Sequence, residues 1–180
     1  RMGRDKKLIE FDGIPLWQCQ MQLLESLEPA EILISGPADG PWAGRYRIIK
    51  DASVGAGPLA GISAILTAAS HEMVLVLAVD LPQMNTDFLK RLLTISNGSG
   101  VIPHRQKRYE PLAAIYTRSC APSARDALLA GNFSLQHFCS EAVAAGLAAV
   151  LKIAEDDEPL FANLNSPADL AQVALVHGCG

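Results

Sequence analysis

The sequence has few of the features that mark specialised classes of protein. Aromatic residues make up only 6% of its 180 positions, and Trp17, Trp42 and the phenylalanines do not interleave with basic residues. That excludes a stacking platform for single-stranded nucleic acid. Basic runs are confined to Arg4–Lys7 and a patch from His104 to Arg108, and 15 lysines and arginines against 19 aspartates and glutamates leave a net charge of -4. Duplex nucleic acid demands a stronger positive surface, so no nucleic acid is expected as a partner, although an anionic small molecule can still be bound locally. The longest uninterrupted apolar run, Met73 to Val79, falls far short of the roughly 20 residues a membrane-crossing helix needs. No membrane partner is expected either. The four cysteines, Cys19, Cys120, Cys139 and Cys179, form no CxxC and no Cys/His pair with metal-ligand spacing, which removes zinc and redox motifs. Three of them sit in apolar or helical-looking stretches and read as reduced, buried thiols, which points to a reducing compartment, the cytoplasm. No Ser or Cys stands in a GxSxG context, and His71, His104, His137 and His177 are scattered, so spacing announces no nucleophile with its base.

What is present is an ordinary apolar content, 49% of the chain. A single domain of this length buries roughly 70% of its unfolded surface and needs no disulfide or metal to hold it. Period and punctuation alternate strands with helices, which points to α/β. Ile14 to Leu27 reads as a helix with Leu16, Met21, Leu23, Leu24 and Leu27 on one side, closed by Pro29. Short strands follow at Glu31–Ser35 and Arg45–Lys50. A Gly-rich segment then enters a helix at Pro58, running to about Ala69. Met73–Val79 reads as a fully buried parallel strand. Asn85 and Thr86 cap a helix over Asp87–Ser96. Gly100–His104 and Pro111–Tyr116 flank a polar loop, Arg105–Glu110, either as a hairpin or as neighbouring strands. Helices at Pro122–Ala130 and Leu135–Ala145 precede a strand at Ala148–Ile153, an acidic loop at Glu155–Glu158, a last strand at Phe161–Asn165 and a final helix beginning at Ser166–Asp169.

Four places can carry chemistry. Asp80, followed by Leu81 and Pro82, closes an apolar strand where open α/β sheets bind ligands, at the carboxyl end. It can hold Mg²⁺, which takes one or two carboxylates and completes its shell with water and phosphates, or it can simply cap the turn through Asx hydrogen bonds. The opening Arg1-Met2-Gly3-Arg4-Asp5-Lys6 offers backbone N–H groups and cations to a phosphate chain, or is a solvated basic stretch. Asp51, ahead of Gly55, Gly57, Pro58 and Gly61, can accept from a base or ribose, or end a strand. Asn163 and Asn165 alternate along the expected strand and so share a face, where paired amides grip a polar ring or satisfy backbone. His104, beside Arg105, Lys107, Arg108 and Glu110, is the histidine best placed to line a pocket for an acidic substrate.

Taken in order, these pieces resemble the MobA-like nucleotidyltransferases, the family that includes molybdenum cofactor guanylyltransferase. The resemblance runs over nearly the whole chain through Arg1-Met2-Gly3 with Asp5-Lys6, Leu8, Gly13, Pro15 and Leu16; Asp51 before Gly57-Pro58-Leu59-Ala60-Gly61; Asp80-Leu81-Pro82; Glu110-Pro111-Leu112; and Asn163-Leu164-Asn165-Ser166-Pro167. It implies a single-domain, three-layer, Rossmann-like α/β fold with a mostly parallel sheet over residues 1–180, of which 1–100 mainly bind the nucleotide and 101–180 mainly the acceptor. The family signature has the form LAGGxSxRMGxDK. Only its last part is in this sequence, so the first strand is expected to be missing from the chain. The resemblance further implies Mg²⁺-dependent transfer of GMP from GTP to molybdopterin phosphate. Asp80 would be the metal ligand and, with Lys6 and Arg1, the catalytic set. Gly3, Lys6, Asp51 and Asp80 would bind the nucleotide, and Asn163 and Asn165 the acceptor. A monomer in transient contact with molybdenum cofactor biosynthesis proteins or acceptor molybdoenzymes completes the expectation. CTP with molybdopterin, a sugar phosphate acceptor, or a non-catalytic nucleotide-binding module are the alternatives.

Overall fold

The computed structural model describes residues 10, 11, 13–50 and 55–163. In chain order its elements are strands β1 (Glu10–Phe11) and β2 (Ile14–Pro15), helix α1 (Leu16–Glu25), strands β3 (Leu33–Ser35) and β4 (Arg47–Ile49), helix α2 (Pro58–Ala68), strand β5 (Met73–Leu77), helix α3 (Thr86–Ser96), strands β6 (Gly100–Arg105), β7 (Arg108–Tyr109) and β8 (Ala113–Thr117), helices α4 (Ala121–Leu129) and α5 (Leu135–Ala144), strand β9 (Ala148–Lys152), and a 3-10 helix over Glu155–Phe161. The α/β expectation holds. No helix among the described residues is long and apolar enough to cross a membrane. The described residues divide into two compact units, a larger one within Ala30–Val76 and Leu92–Ile153 and a smaller one within 10–29, 77–91 and 154–163.

The larger unit carries the main sheet, in the order β5-β8-β6-β7 with β9 also paired to β6. Among the described pairings the sheet is mixed: β6 runs antiparallel to β7 and β8 and parallel to β9. Connection length explains this. The short return through Tyr109 joins neighbours that must run oppositely, whereas β9 is reached through α4 and α5, long enough for a parallel crossover. This also settles the alternatives for Gly100–His104 and Pro111–Tyr116, which pair antiparallel with Val101 opposite Ile115. Gly100 starts β6 because a Cβ there would lie 2.6 Å from the Leu147 carbonyl oxygen. The side chains of β5 are half-buried throughout, not fully buried. Within the described sheet β5 stands at one end, and an end strand is covered less than a central one.

The core gathers Leu59, Ile62 and Leu66 of α2 with Ile102, Tyr116, Phe138 and Cys139. Each such aliphatic or aromatic side chain contributes about 1.5–3 kcal/mol on burial. α2 starts on Gly57, whose φ of 67° suits only glycine, and Pro58 occupies its first turn as expected. Gln136 of α5 reaches the short edge strand β7, accepting from the Tyr109 N–H at 2.9 Å and donating to its carbonyl at 3.0 Å. That pair of hydrogen bonds occupies an edge that would otherwise be open to another strand. The Tyr116 hydroxyl, fully buried, donates to the Pro111 carbonyl at 2.9 Å and lies 3.5 Å from Cys139 Sγ. Burial pushes the Cys139 thiol up to about 11 and raises Tyr116 and Cys120 as well, so these groups stay protonated and inert at neutral pH. Cys120 and Cys139 are buried free thiols, as read from the sequence; Cys19 is half-buried.

Two expectations near the end of the chain are corrected. Glu155–Glu158 is no open loop but the start of the 3-10 helix, which continues to Phe161. The expected strand at Phe161–Asn165 is not formed in its described part: Phe161 ends that helix, and Ala162 and Asn163 are irregular. The reason is tertiary. Phe161 is buried, with its ring edge-on to Phe88 at 5.2 Å between centroids, and Asp157 is tied to Arg91. Leu164, Asn165 and the expected final helix lie outside the described residues.

Candidate functional site

Asp80 lies in the turn that follows β5, and its side chain is half-buried. The chain beyond it is held at several points. Leu81 and Met84 are buried, at 4% and 6% exposure, and anchor the turn by their apolar side chains. The Met84 N–H donates to the Leu81 carbonyl at 3.2 Å, closing a turn with Pro82 at the position where a fixed φ is favoured. A second donor reaches the same carbonyl from α1: Gln20 Nε2 at 2.8 Å. Asn85 then caps α3, its Oδ1 accepting from the Phe88 N–H at 2.8 Å, as the sequence predicts. Ser26, just past α1, lies 3.1 Å from the Thr86 hydroxyl; because Ser26 Oγ donates to the Leu23 carbonyl, Thr86 is the donor to Ser26. Thus α1 braces the segment at both Leu81 and Thr86, within one compact unit.

Gln20 is the residue that the sequence did not single out. The expected apolar side of α1 was Leu16, Met21, Leu23, Leu24 and Leu27, but the buried residues of the helix are Leu16 and Gln20. Met21, Leu23, Leu24 and Leu27 are half-buried. The available signal was spacing: Gln20 stands one helical turn beyond Leu16, on the same face. Its orientation follows from its partner, since a carbonyl accepts only from the amide nitrogen. Among the described residues, Gln20 Oε1 has no hydrogen-bond partner. A buried acceptor left without a donor costs about 1–3 kcal/mol.

The other expected site residues are distributed unevenly. Arg1, Gly3, Lys6, Asp51 and Asn165 lie outside the described residues. Asn163 is exposed, on irregular chain beyond the 3-10 helix, and belongs to the same unit as Asp80. His104 lies in the larger unit, its ring edge-on to Tyr109 at 5.0 Å. Arg105 is paired with Glu110, so part of the basic character of that loop is neutralised on the spot.

Among the described residues, no three His, Cys, Asp or Glu side chains gather as a metal-binding cluster. Among the described residues, then, Asp80 brings one carboxylate and no cluster of protein ligands. That fits Mg²⁺ completed by water and substrate phosphates, and does not fit a cation enclosed by protein ligands. A carboxylate on a braced turn at the end of a strand can hold such a cation against an anionic ligand without reorganising.

The sequence model described as "MobA-like NTP transferase domain" matches residues 1–145. The chain is 33% identical over 174 residues to a protein of Opitutus terrae named "Probable molybdenum cofactor guanylyltransferase", covering 94% of this chain and 86% of that one. It is 31% identical over 173 residues to the molybdenum cofactor guanylyltransferase of Pseudomonas putida, covering 92% and 86%. In fold it matches the crystal structure of molybdopterin-guanine dinucleotide biosynthesis protein A from Archaeoglobus fulgidus with a TM-score of 0.74 and 23% identity, covering 98% of this chain and 92% of that one.

Proposed function

Because the chain belongs to the MobA-like NTP transferase domain family, and is thereby a nucleotidyltransferase, we propose that it transfers GMP from GTP to the terminal phosphate of molybdopterin, with Mg²⁺. A phosphate oxygen of the acceptor attacks the α-phosphorus of GTP. The bond from that phosphorus to the bridging oxygen breaks, and pyrophosphate leaves with the electron pair. The acceptor phosphate is already anionic at neutral pH, so no strong general base is needed, in keeping with scattered histidines.

Asp80 would hold the Mg²⁺, which when bound neutralises charge on the nucleotide phosphates. The turn that follows Asp80 is closed at the Leu81 carbonyl, and Gln20 of α1 donates to the same carbonyl. Arg1 and Lys6 would stabilise the charge developing on phosphate as pyrophosphate departs. Gly3 would let backbone N–H groups approach the phosphates, Asp51 would lie by the nucleotide, and Asn163 and Asn165 would orient the pterin end of the acceptor. The setting is the cytoplasm. The protein acts there as a monomer that meets molybdenum cofactor biosynthesis proteins or acceptor molybdoenzymes transiently.

The observation that carries this reading is the braced, half-buried carboxylate of Asp80 at the end of β5, in a chain whose curated relatives bear the guanylyltransferase name. The test is pyrophosphate release with Mg²⁺ and molybdopterin, with GTP, CTP, ATP and UTP in separate reactions. Release with GTP alone is expected. Release with CTP alone would keep the chemistry and reassign the base, and silence with all four would overturn the transferase reading for this acceptor.

A further inference from the structure

We infer that Gln20 is a positioning residue for the cation site, acting through the Asp80 turn; this rests on the reading of Asp80 as the Mg²⁺ ligand. Gln20 is 3% exposed and is one of two buried residues on α1. Its amide crosses 61 positions of sequence to reach the carbonyl next after Asp80, at 2.8 Å. That carbonyl already accepts from the Met84 N–H within the turn, so Gln20 takes up its remaining acceptor capacity. That carbonyl belongs to the peptide bond into Pro82, whose ring fixes φ. The backbone one residue beyond Asp80 is thus held at its carbonyl by two donors.

The choice of residue matters beyond packing. A leucine at position 20 would extend the apolar face begun by Leu16 without burying polar atoms. Glutamine instead supplies a donor where Asp80 must be aimed and keeps an acceptor, Oε1, with no partner among the described residues. A buried acceptor kept without a protein donor, on the side chain that holds the turn next to Asp80, is the kind of group that calls for a role beyond packing.

The test compares Gln20→Met, which keeps the volume and removes the donor, with Asp80→Asn and with Gln136→Met, an amide-to-thioether change at the Tyr109 brace of the larger unit. Mn²⁺ binding is read by the electron spin resonance of the free ion in the presence of a non-reacting GTP analogue, alongside the Mg²⁺ half-saturation of turnover. Gln20→Met should weaken Mn²⁺ about three- to tenfold, the range spanned by losing one such hydrogen bond, and raise the Mg²⁺ half-saturation by the same factor. At saturating Mg²⁺ its kcat should stay within about twofold of the parent, since the donor acts on cation affinity. Gln136→Met should leave cation binding as in the parent protein. A folded Gln20→Met with parental Mn²⁺ affinity, or equal weakening by Gln136→Met, overturns the inference while leaving Asp80 in place. Asp80→Asn that binds Mn²⁺ as the parent does removes the metal reading, and the inference with it. If Gln20→Met does not fold, the parent protein decides: the side-chain amide resonance of Gln20 should shift when Mg²⁺ and the analogue are added, and an unmoved resonance overturns the inference.

Discussion

In the turn after β5 a side-chain amide, Gln20, donates to the Leu81 carbonyl at 2.8 Å; in the segment before β8 a phenol, Tyr116, donates to the Pro111 carbonyl at 2.9 Å. Both donors are buried, at 3% and 0% exposure, and in both segments a carboxylate precedes the carbonyl, Asp80 before Leu81 and Glu110 before Pro111. They differ in how the polar groups are used. Glu110 is tied to Arg105, and the Tyr116 hydroxyl also touches Cys139 Sγ. The Asp80 turn keeps an amide oxygen without a partner among the described residues. The Pro111 segment is therefore arranged to fold, and its groups answer one another. The Asp80 turn retains polar capacity at a cost in stability, which is where function is expected to depart from the most stable arrangement.

Two substitutions separate these roles by which measurement they move. Tyr116→Ala empties the centre of the core and should lower stability by about 3–5 kcal/mol, or roughly 2–4 °C of melting temperature per kcal/mol. Turnover per folded molecule should stay near that of the parent. A loss under about 1 kcal/mol would show that the segment before β8 does not depend on the phenol. Asp80→Ala should do the reverse, lowering pyrophosphate release about a hundred- to thousandfold, which corresponds to about 2.7–4 kcal/mol on the barrier, with a melting temperature close to the parent value. Retained turnover would erase the contrast between the two turns.

How much of this was legible in the sequence follows from which interactions are local. The start of α3 was readable because Asn85 caps a helix three residues away, and α2 because Pro58 and Gly57 act on their own backbone. Asp80 was readable as a carboxylate ending an apolar run. The 3-10 helix over Glu155–Phe161 was not, because its acidic stretch has no apolar period and its order comes from Arg91 and Phe88, far away in sequence. Gln20 was missed for the same reason: its partner Leu81 is 61 residues distant, and a glutamine on a helix is ordinarily counted with the solvent face. The mostly parallel sheet was what the family resemblance implied, and the antiparallel pairs enter it at the short return through β7, where no helix intervenes.

The smallest effect tests whether the brace on the Asp80 turn comes from α1 or from the local cap. Asn85 leaves the turn and accepts from the Phe88 N–H at 2.8 Å, so Asn85→Ala should cost about 1 kcal/mol of stability, the usual worth of an N-cap. If the aim of Asp80 is set upstream, at the Leu81 carbonyl where Gln20 and Met84 both donate, loosening α3 beyond it leaves the carboxylate where it was. The Mg²⁺ half-saturation of Asn85→Ala should then stay within about twofold of the parent, a shift of some 0.4 kcal/mol, while the thermal midpoint falls by a few degrees. A larger change in Mg²⁺ dependence than in melting temperature would move the brace from α1 to the cap of α3, because one hydrogen bond at the helix start would then carry the geometry now assigned to the amide.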